Sequence, residues 1–315
     1  MQVVILAAGR GSRLHPLTLD RSKAMLPIVG VPMVGRVLEN LAACGLQDFI
    51  VVANPGDTEL IRYFERQEQN RVQLVFQSQA CGAADALRCA VPRITGDFLL
   101  TACDNLVPLA DMRGIVECWQ SGAAPKGLLA LLRLPSQEIY SSGIVELSGD
   151  WIRRIVEKPS PADAASNIAS LPLYCFTPDL LEYIPRVQPS PRGEYELQDA
   201  IQMLIEHQGG VRGIYVQGRM TLTDAIDLLR LNRYFLAQQG DRPSPTWQVP
   251  PDKTRLIPPV FIEPGVSIAS DCTIGPQAYL EAGCTVGEGA TIQHSVVLRG
   301  AVIPTKAYIH EQVIA

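Results

Sequence analysis

The sequence predicts an α/β fold with a mostly parallel mixed sheet, followed by a short solenoid of β-strands. Over the first two-thirds of the chain, apolar strand-like runs alternate with segments of helical periodicity, which is typical of such sheets. Near the C-terminus, aliphatic residues instead recur at every sixth position, which is typical of a β-helix.

The elements of the α/β part follow in chain order. MQVVILAAG predicts a buried strand, and VPMVGRVLENLAACG predicts a helix with Gly45 as its C-cap. One face of that helix carries Val34, Val37, Leu38, Leu41 and Ala42. Further strands are predicted in QDFIVVAN, VQLVFQ and GDFLLTACDN, with a helix in ADALRCAV. Ligands of such sheets bind at the carboxyl ends of strands, where the first glycine loop and the CDN segment both fall.

The Pro-rich, polar stretch 237–255 predicts a linker between a domain of residues 1–236 and a second domain of residues 256–315. Two tracks of small or aliphatic residues run through the second domain, and we expect both to point inward. The first track is Leu256, Ile262, Ile268, Ile274, Leu280, Val286, Ile292 and Leu298. The second is Val260, Val266, Cys272, Ala278, Cys284, Ala290, Val296 and Val302.

Composition excludes several classes of function. The net charge of −5 argues against a large nucleic-acid footprint, and no apolar run is long enough to span a membrane. The N-terminus has no basic region that would make it a signal peptide. The eight cysteines form no CxxC pair and the four histidines are scattered, so no zinc cluster is expected. We expect a cytoplasmic protein with reduced thiols.

The first glycine loop, GRGSRLHP, fits neither of two common phosphate-binding motifs. It lacks the GxxxxGK[ST] of a Walker A loop, and Leu14 occupies the third glycine position of GxGxxG. Instead, LAAGRGSRLHPLTLDRSKAMLPIVGVPMV resembles the opening of the sugar-phosphate nucleotidylyltransferase family, G-x-G-[ST]-R-L-x-P-L-T. The C-terminal repeat resembles the hexapeptide-repeat left-handed β-helix.

This resemblance implies a Rossmann-like nucleotidyltransferase domain that makes an NDP-sugar and pyrophosphate from an NTP and a sugar 1-phosphate. Arg13 would hold the β- and γ-phosphates through its planar fork, and Lys23 would reach the α-phosphate. The nucleotide-binding residues of the opening would be Leu6, Ala8, Gly9, Gly11 and Ser12.

FQSQACGAADAL resembles the family's base-reading segment, which implies that Gln77 reads the base and that Gly82 passes close to it. A Gln amide offers one donor and one acceptor, which suits uracil or thymine. Guanine presents two donors and would favour a carboxylate. We therefore expect UTP or dTTP, with glucose 1-phosphate as the default acceptor.

Two more segments resemble family elements. Asp104, at the carboxyl end of a buried strand, would ligate Mg²⁺. In YSSGIVEL and IRRIVEKP, Gly143 would let the sugar lie against the backbone. Glu157 would accept sugar hydroxyls, and Lys158 would pair with the 1-phosphate.

Three positions depart from the family pattern. Where the family reads N-x-G-x-Y this chain reads SLPLY, so Ser170 replaces Asn and Pro172 replaces Gly. Proline lacks the N–H for a ladder bond, so Pro172 belongs at an edge or bulge. Thr221 stands where the family has a second metal-ligating Asp, although Asp224 lies nearby.

Three alternatives stay open, and the departures motivate the first of them. One is a weak or inactive nucleotide-binding regulatory homologue, associated with an active relative in a hetero-oligomer. Another is a mannose-1-phosphate guanylyltransferase, which has the same domain layout. A third is an acyltransferase using His294 or His310 of the β-helix. A short solenoid with open ends further predicts a homo-oligomer.

Overall fold

The computed structural model describes residues 1–9, 11–66, 71–121, 125–135, 137–161, 163–164, 166–240 and 252–315. Most of the predicted linker, residues 241–251, lies outside the described residues. The strands before it are β1 (Gln2–Leu6), β2 (Pro27–Ile28), β3 (Val31–Pro32), β4 (Asp48–Ala53), β5 (Arg71–Phe76), β6 (Phe98–Ala102), β7 (Asn105–Leu106), β8 (Gly127–Arg133), β9 (Gly143–Ser148), β10 (Trp151–Glu157), β11 (Ile168–Phe176), β12 (Val211–Tyr215) and β13 (Met220–Thr221). The α-helices are α1 (Met33–Ala42), α2 (Thr58–Glu65), α3 (Ala83–Ala90), α4 (Leu109–Gln120), α5 (Leu197–His207) and α6 (Ala225–Gln239).

The internal contacts of the chain divide it into two compact units. The first comprises Met1–Arg10 and Val37–Arg219, and the second comprises Gly11–Arg36 and Met220–Ala315. The domain boundaries at residues 236 and 256 stay a prediction.

The first unit is built on a nine-stranded sheet in the order β5-β4-β1-β6-β11-β8-β12-β10-β9. Strands β5, β4, β1 and β6 are parallel neighbours, and β11 and β10 run against the strands beside them. The mixed, mostly parallel sheet confirms the predicted α/β class.

Helices α3 and α5 share one apolar core with this sheet. Alanines of α3 (Ala84, Ala86 and Ala90) lie in a buried cluster with the sheet residues Val4 and Ile50. Small side chains let the helix backbone approach the sheet closely, which places the start of α3 beside the strand ends. The predicted cap of α1 is also confirmed, since Gly45 has φ +81° and its N–H bonds the carbonyl of Ala42.

The C-terminal part of the second unit is a stack of short parallel strands. They are β14 (Arg255–Leu256), β15 (Val260–Ile262), β16 (Ser267–Ile268), β17 (Thr273–Ile274), β18 (Ala278–Leu280), β19 (Thr285–Val286), β20 (Thr291–Gln293), β21 (Val296–Val297), β22 (Val302–Ile303), β23 (Tyr308–His310) and β24 (Val313–Ile314). They form three sheets, β14-β17-β20-β23, β15-β18-β21-β24 and β16-β19-β22. Three parallel sheets built from successive coils agree with the predicted left-handed β-helix.

The predicted inward tracks are correct only as far as Ile292. Beyond it, Leu280 pairs with Val297 rather than with Leu298, so the corner after Ile292 is one residue shorter than the earlier corners. The inner column therefore continues through Val297 and Ile303, and Val302, which the six-residue spacing points inward, is 70% exposed. A prediction that assumes a fixed six-residue period fails where one corner is a residue shorter.

No helix among the described residues is long and apolar enough to cross a bilayer.

Candidate active site

The carboxyl edge of the parallel strands gathers several predicted site residues of the first unit. Leu6, the last residue of β1, pairs with Ala102, the last residue of β6. The N–H of Cys103 then donates to the Leu6 carbonyl over 3.0 Å. Gly9, which is exposed, and Asp104 follow these two strand ends, so the structure brings both to the same edge.

Asp104 has a chemically suitable neighbour for a cation. It lies in the turn between β6 and β7, and Asn105 beside it is 2% exposed. Both side-chain amide atoms of Asn105 lack a hydrogen-bond partner among the described residues. A carboxylate next to an unsatisfied amide oxygen fits the oxygen ligands that Mg²⁺ prefers. The described residues include no group of three His, Cys, Asp or Glu that could hold a metal alone. A cation here would therefore need substrate phosphates to complete its coordination.

The glycine loop of the second unit is a tight turn packed on Lys23. Gly11 has φ +69°, and a Cβ built on it would lie 2.7 Å from the Lys23 Cβ. The carbonyl of Gly11 accepts from the Thr18 hydroxyl and from the Leu14 N–H, both over 2.9 Å. The buried Leu14 side chain anchors the turn, while Arg13 in the same turn is exposed. Glycine is required here because any side chain would strike Lys23.

Gln77 and Gly82 form a corner at the start of α3, close to the end of β5. Gly82 has φ +108°, and a Cβ on it would lie 2.5 Å from the carbonyl oxygen of Tyr195. The Ala84 N–H donates to that same oxygen over 3.0 Å, and the Tyr195 N–H donates to the Cys81 carbonyl over 2.7 Å. Gly82 thus passes close to the Tyr195 backbone, and its predicted approach to the base stays a prediction.

The side chain of Gln77 differs from the sequence-based expectation. Its Nε2 donates to the Asp85 carboxylate over 2.8 Å and to the Gly82 carbonyl over 3.2 Å. Both acceptors can only accept, so they fix the orientation of the amide. The expectation that Gln77 offers a base one donor and one acceptor is wrong, since Asp85 and Gly82 occupy the donor. Gln77 is 5% exposed, and a contact of its acceptor Oε1 with a base stays a prediction.

The sugar-side residues Gly143, Glu157 and Lys158 come together in the first unit. Gly143 begins β9 and pairs with Glu157 of β10 on one side and with Ser170 of β11 on the other. A Cβ on Gly143 would lie 2.9 Å from Ser170 Oγ, 3.1 Å from Glu157 Oε2 and 3.2 Å from Gln198 Nε2. Polar atoms of three side chains thus surround the Gly143 backbone.

Glu157 and Lys158 are electrostatically coupled. Burial raises the pKa of the Glu157 carboxyl, and the Lys158 ammonium, 3.5 Å from its Oε1, opposes that rise. Lys158 has φ +45°, a strained value for a residue with a side chain. Its N–H donates to the Ser142 carbonyl over 3.0 Å, which holds the strained turn. Strain of this kind often occurs at functional sites.

The departures from the family pattern have visible structural consequences. The register of β11 against β8 shifts between Ser170 and Tyr174, so Pro172 lies at an irregularity, as predicted. Its carbonyl accepts from the Thr101 hydroxyl over 2.9 Å. Ser170 Oγ donates to the Gly143 carbonyl and accepts from the Tyr174 hydroxyl, each over 3.3 Å.

In the second unit, Thr221 ends β13, and its hydroxyl accepts from the Thr223 hydroxyl over 3.5 Å. Asp224 is the N-cap of α6, where its carboxylate accepts from the Asp227 N–H over 2.9 Å. Asp224 therefore has a local role in starting the helix.

Two residues in these clusters had no role assigned from the sequence. Asp85 lies one turn into α3, and an acidic residue there is expected simply from the helix dipole. Tyr174 matches the tyrosine of the family pattern, and its burial raises the pKa of its phenol. The four-residue spacing from Ser170 to Tyr174 matches the family pattern and could have identified Tyr174 as part of this cluster. Nothing in the sequence indicates that Asp85 contacts Gln77.

Comparisons with known proteins agree with this fold. The family model described as Nucleotidyl transferase matches residues 2–218, and the one described as GMPPB C-terminal domain matches residues 256–315. A glucose-1-phosphate thymidylyltransferase of Streptomyces griseus is 29% identical, with 96% of this chain and 88% of the relative covered. A UTP–glucose-1-phosphate uridylyltransferase of Haloferax volcanii is 31% identical, over 69% of this chain and 89% of the relative.

Among solved structures, a UDP-glucose pyrophosphorylase in complex with UDP-glucose has a TM-score of 0.68 at 21% identity. The match covers 75% of this chain and 98% of that chain, and at this identity it supports the fold alone. The Nucleotidyl transferase model spans more than half of the chain. The fold is also the one that the opening motif of the sequence implies. The chain therefore belongs to the nucleotidyl transferase family.

Proposed function

We propose that the protein transfers a nucleotidyl group from an NTP to a sugar 1-phosphate, forming an NDP-sugar and pyrophosphate. The observation that carries this proposal is the carboxyl edge of the sheet, which bears the Gly9 loop and the Asp104 turn side by side. The names of the Streptomyces and Haloferax relatives support glucose 1-phosphate as the acceptor.

The reaction needs no protein nucleophile. An oxygen of the sugar phosphate attacks the α-phosphorus in line, and the bond from that phosphorus to the β-phosphate oxygen breaks. Arg13 holds the departing β- and γ-phosphates with its fork, and Lys23 stabilises the charge that builds on the α-phosphate. Asp104 would hold Mg²⁺, which neutralises phosphate charge when bound.

The base is read by hydrogen bonds at the start of α3. Gln77 Oε1 accepts from a ring N–H. The Ala84 N–H already donates to Tyr195, so the donor to a base carbonyl is another first-turn N–H of α3 without an intrahelical partner. Uracil and thymine present this donor and acceptor together, so UTP and dTTP stay our first choice. Guanine presents the same pair plus an amino group. The carboxylate of Asp85 beside Gln77 and the C-terminal family match support GTP, with mannose 1-phosphate, as an alternative.

At the sugar end, Glu157 accepts sugar hydroxyls and Lys158 pairs with the 1-phosphate. Glycine at position 143 leaves room for the polar side chains of Ser170 and Gln198 beside the proposed sugar position, because a Cβ there would crowd both. These roles follow from the family pattern and from the contacts of the cluster.

A second candidate is a regulatory homologue that binds nucleotide without turnover. The threonine at position 221 favours it, because Asp224, the nearest carboxylate in sequence, caps α6. Thr221→Asp would then raise activity sharply, whereas Thr223→Asp, two residues away, would not. If the wild type already turns over at about 1–10³ s⁻¹, the regulatory role fails.

The test of the proposed function is pyrophosphate release from UTP, dTTP, GTP, ATP and CTP, each with Mg²⁺ and either glucose or mannose 1-phosphate. We expect release with one or two nucleotides, and we expect a chelator to abolish it. No release with any pair would overturn the enzyme proposal. Cytoplasmic location and self-association remain predictions.

A further inference from the structure

A buried ion pair joins the segment between the glycine loop and the β2–β3 turn, residues 15–30 (the Lys23 segment), to the β-helix. Arg21 Nη1 donates to Glu281 Oε1 over 2.6 Å, and its Nη2 donates to Oε2 over 3.0 Å. The two side chains are 3% and 10% exposed. A two-point fork between planar groups fixes direction as well as distance. Arg21 is two residues before Lys23, the residue that the family pattern assigns to the α-phosphate.

Glu281 is itself held rigidly by the β-helix. It directly follows β18, and its N–H donates to the Val297 carbonyl of the next coil over 2.8 Å. Its Oε2 also accepts from the Arg299 N–H over 2.8 Å, and the Arg299 guanidinium donates to Asp20 over 3.2 Å. Because the β-helix fixes the Glu281 carboxylate, the carboxylate in turn fixes the position of Arg21.

The far end of the Lys23 segment, at Val29 and Gly30, is also held within the second unit. A Cβ on Gly30 would lie 3.0 Å from the Phe261 ring of β15, so the turn between β2 and β3 rests on the β-helix. The Val29 N–H donates to Asn232 Oδ1 over 2.8 Å, and Asn232 Nδ2 donates to the Pro27 carbonyl over 3.2 Å. Asn232 lies in α6 and is fully buried. Lys23 thus lies on a short segment that is fixed on both sides.

We propose that Glu281 is a positioning residue for the nucleotide: through Arg21 it sets the path of the segment that carries Lys23, so the β-helix is a working part of the nucleotide site. This inference rests on the proposed function in one respect, namely that Lys23 meets the NTP. It extends that function by giving the β-helix a role in substrate binding. A β-helix that served only for association with other chains would not need to hold the Lys23 segment.

The experiment uses the full chain and two kinds of readout. The dissociation constant of each Mg–NTP is measured by calorimetry, and kcat and both KM values are measured for the nucleotide that turns over. The variants are Glu281→Gln, the apolar pair R21M/E281L, and Glu288→Gln as a control. Glu288 lies on the β-helix, and its carboxylate accepts an exposed hydrogen bond from Ser270. Among the described residues, none of its hydrogen bonds is made to the Lys23 segment.

The apolar pair separates positioning from folding. Replacing a buried ion pair by apolar residues of similar volume generally preserves stability, whereas removing one partner does not. We expect E281Q and R21M/E281L both to weaken NTP binding and to lower kcat/KM for the NTP about 10–100-fold, since small displacements of a catalytic group cost this much. KM for the sugar 1-phosphate and the values of E288Q should stay near those of the wild type.

Three results would overturn the inference. One is R21M/E281L with wild-type NTP binding and kcat/KM, because the pair would then serve only folding. Another is an equal loss for both substrates, which would indicate a smaller active fraction. The third is a wild type that binds none of the five nucleotides. A wild type that binds an NTP without turnover, with weaker binding in both variants, would reject the proposed function and support the positioning role.

Discussion

Asp85 accepts a hydrogen bond from Gln77 Nε2 over 2.8 Å, and this contact orients the Gln77 carboxamide. With Gln77 in its proposed role, the base preference depends on Asp85, a residue that need not touch the base. Removing the Asp85 carboxylate leaves only the longer hydrogen bond to the Gly82 carbonyl, so the orientation of the amide is less firmly fixed.

We expect Asp85→Ala to relax base selection. The ratio of kcat/KM between the preferred nucleotide and the next best should fall about 10-fold, because an amide held only by the Gly82 carbonyl rejects the wrong hydrogen-bond pattern less strongly. Asp85→Asn keeps an acceptor for Gln77 and should retain most of the wild-type ratio. An unchanged ratio in Asp85→Ala would show that Gln77 is not oriented by this contact.

Gly82 should tolerate no side chain. Its φ of +108° is almost restricted to glycine, and a Cβ would meet the Tyr195 carbonyl oxygen at 2.5 Å. Gly82→Ala should lower the free energy of unfolding by at least about 2 kcal/mol and weaken nucleotide binding, as measured by denaturant titration and calorimetry.

The matched control is Gly193→Ala, where φ is +78° but no atom lies within 4 Å of the new Cβ. It should cost only about 1–2 kcal/mol of backbone strain and leave nucleotide affinity intact. Equal effects of the two variants would contradict the close approach at Tyr195.

The ionised Glu157 carboxylate should lower the free energy of unfolding, although it contributes to sugar binding in the proposed function. Because burial raises its pKa in the folded state, the folded chain binds more protons than the unfolded chain between the two pKa values. The stability contributed by this group therefore falls as pH rises through that window, and its cost is fully present above the folded pKa.

Glu157→Gln should consequently melt at a higher Tm than the wild type near pH 8, and the difference should vanish near pH 4. The same variant should raise KM for the sugar 1-phosphate about 10-fold, since a charged acceptor for hydroxyls is lost. Glu146→Gln, whose side chain is 38% exposed on β9, should change neither KM nor this pH dependence. A lower Tm for Glu157→Gln at pH 8 would contradict the account.

The Ser170 and Tyr174 hydroxyls should stabilise the fold jointly. Tyr174 is 2% exposed and donates to Ser170 Oγ, so either single truncation leaves a buried polar group with one partner fewer. A double-mutant cycle of Ser170→Ala and Tyr174→Phe should give a coupling free energy of about 1 kcal/mol in denaturant unfolding. Strictly additive effects would show that this hydrogen bond contributes nothing.

Local patterns in the sequence were sufficient to predict the sheet, the helix cap at Gly45 and the irregularity at Pro172. Each follows from one residue type and its immediate neighbours: apolar runs, a glycine at the end of a helix, and a proline without an N–H. The strand ends that carry Gly9 and Asp104 could be predicted for the same reason.

Features that join distant segments could not be predicted in this way. Arg21 and Glu281 are far apart in the chain, and neither residue type is unusual at its position. The donor of Gln77 is taken by Asp85, which only the folded start of α3 brings into reach. The six-residue period fails after Ile292 because Val296, Val297 and Leu298 are all aliphatic, so the spacing alone does not show that Val297 replaces Leu298 in the inner column.

The central claim is nucleotidyl transfer to a sugar 1-phosphate, and ³¹P NMR of the complete reaction tests it most directly. With Mg²⁺, glucose 1-phosphate and UTP or dTTP, the account predicts the coupled signals of an NDP-sugar and the single signal of pyrophosphate, growing together. Orthophosphate and a nucleoside diphosphate instead would indicate hydrolysis, and an unchanged spectrum for every nucleotide and sugar phosphate would contradict the account.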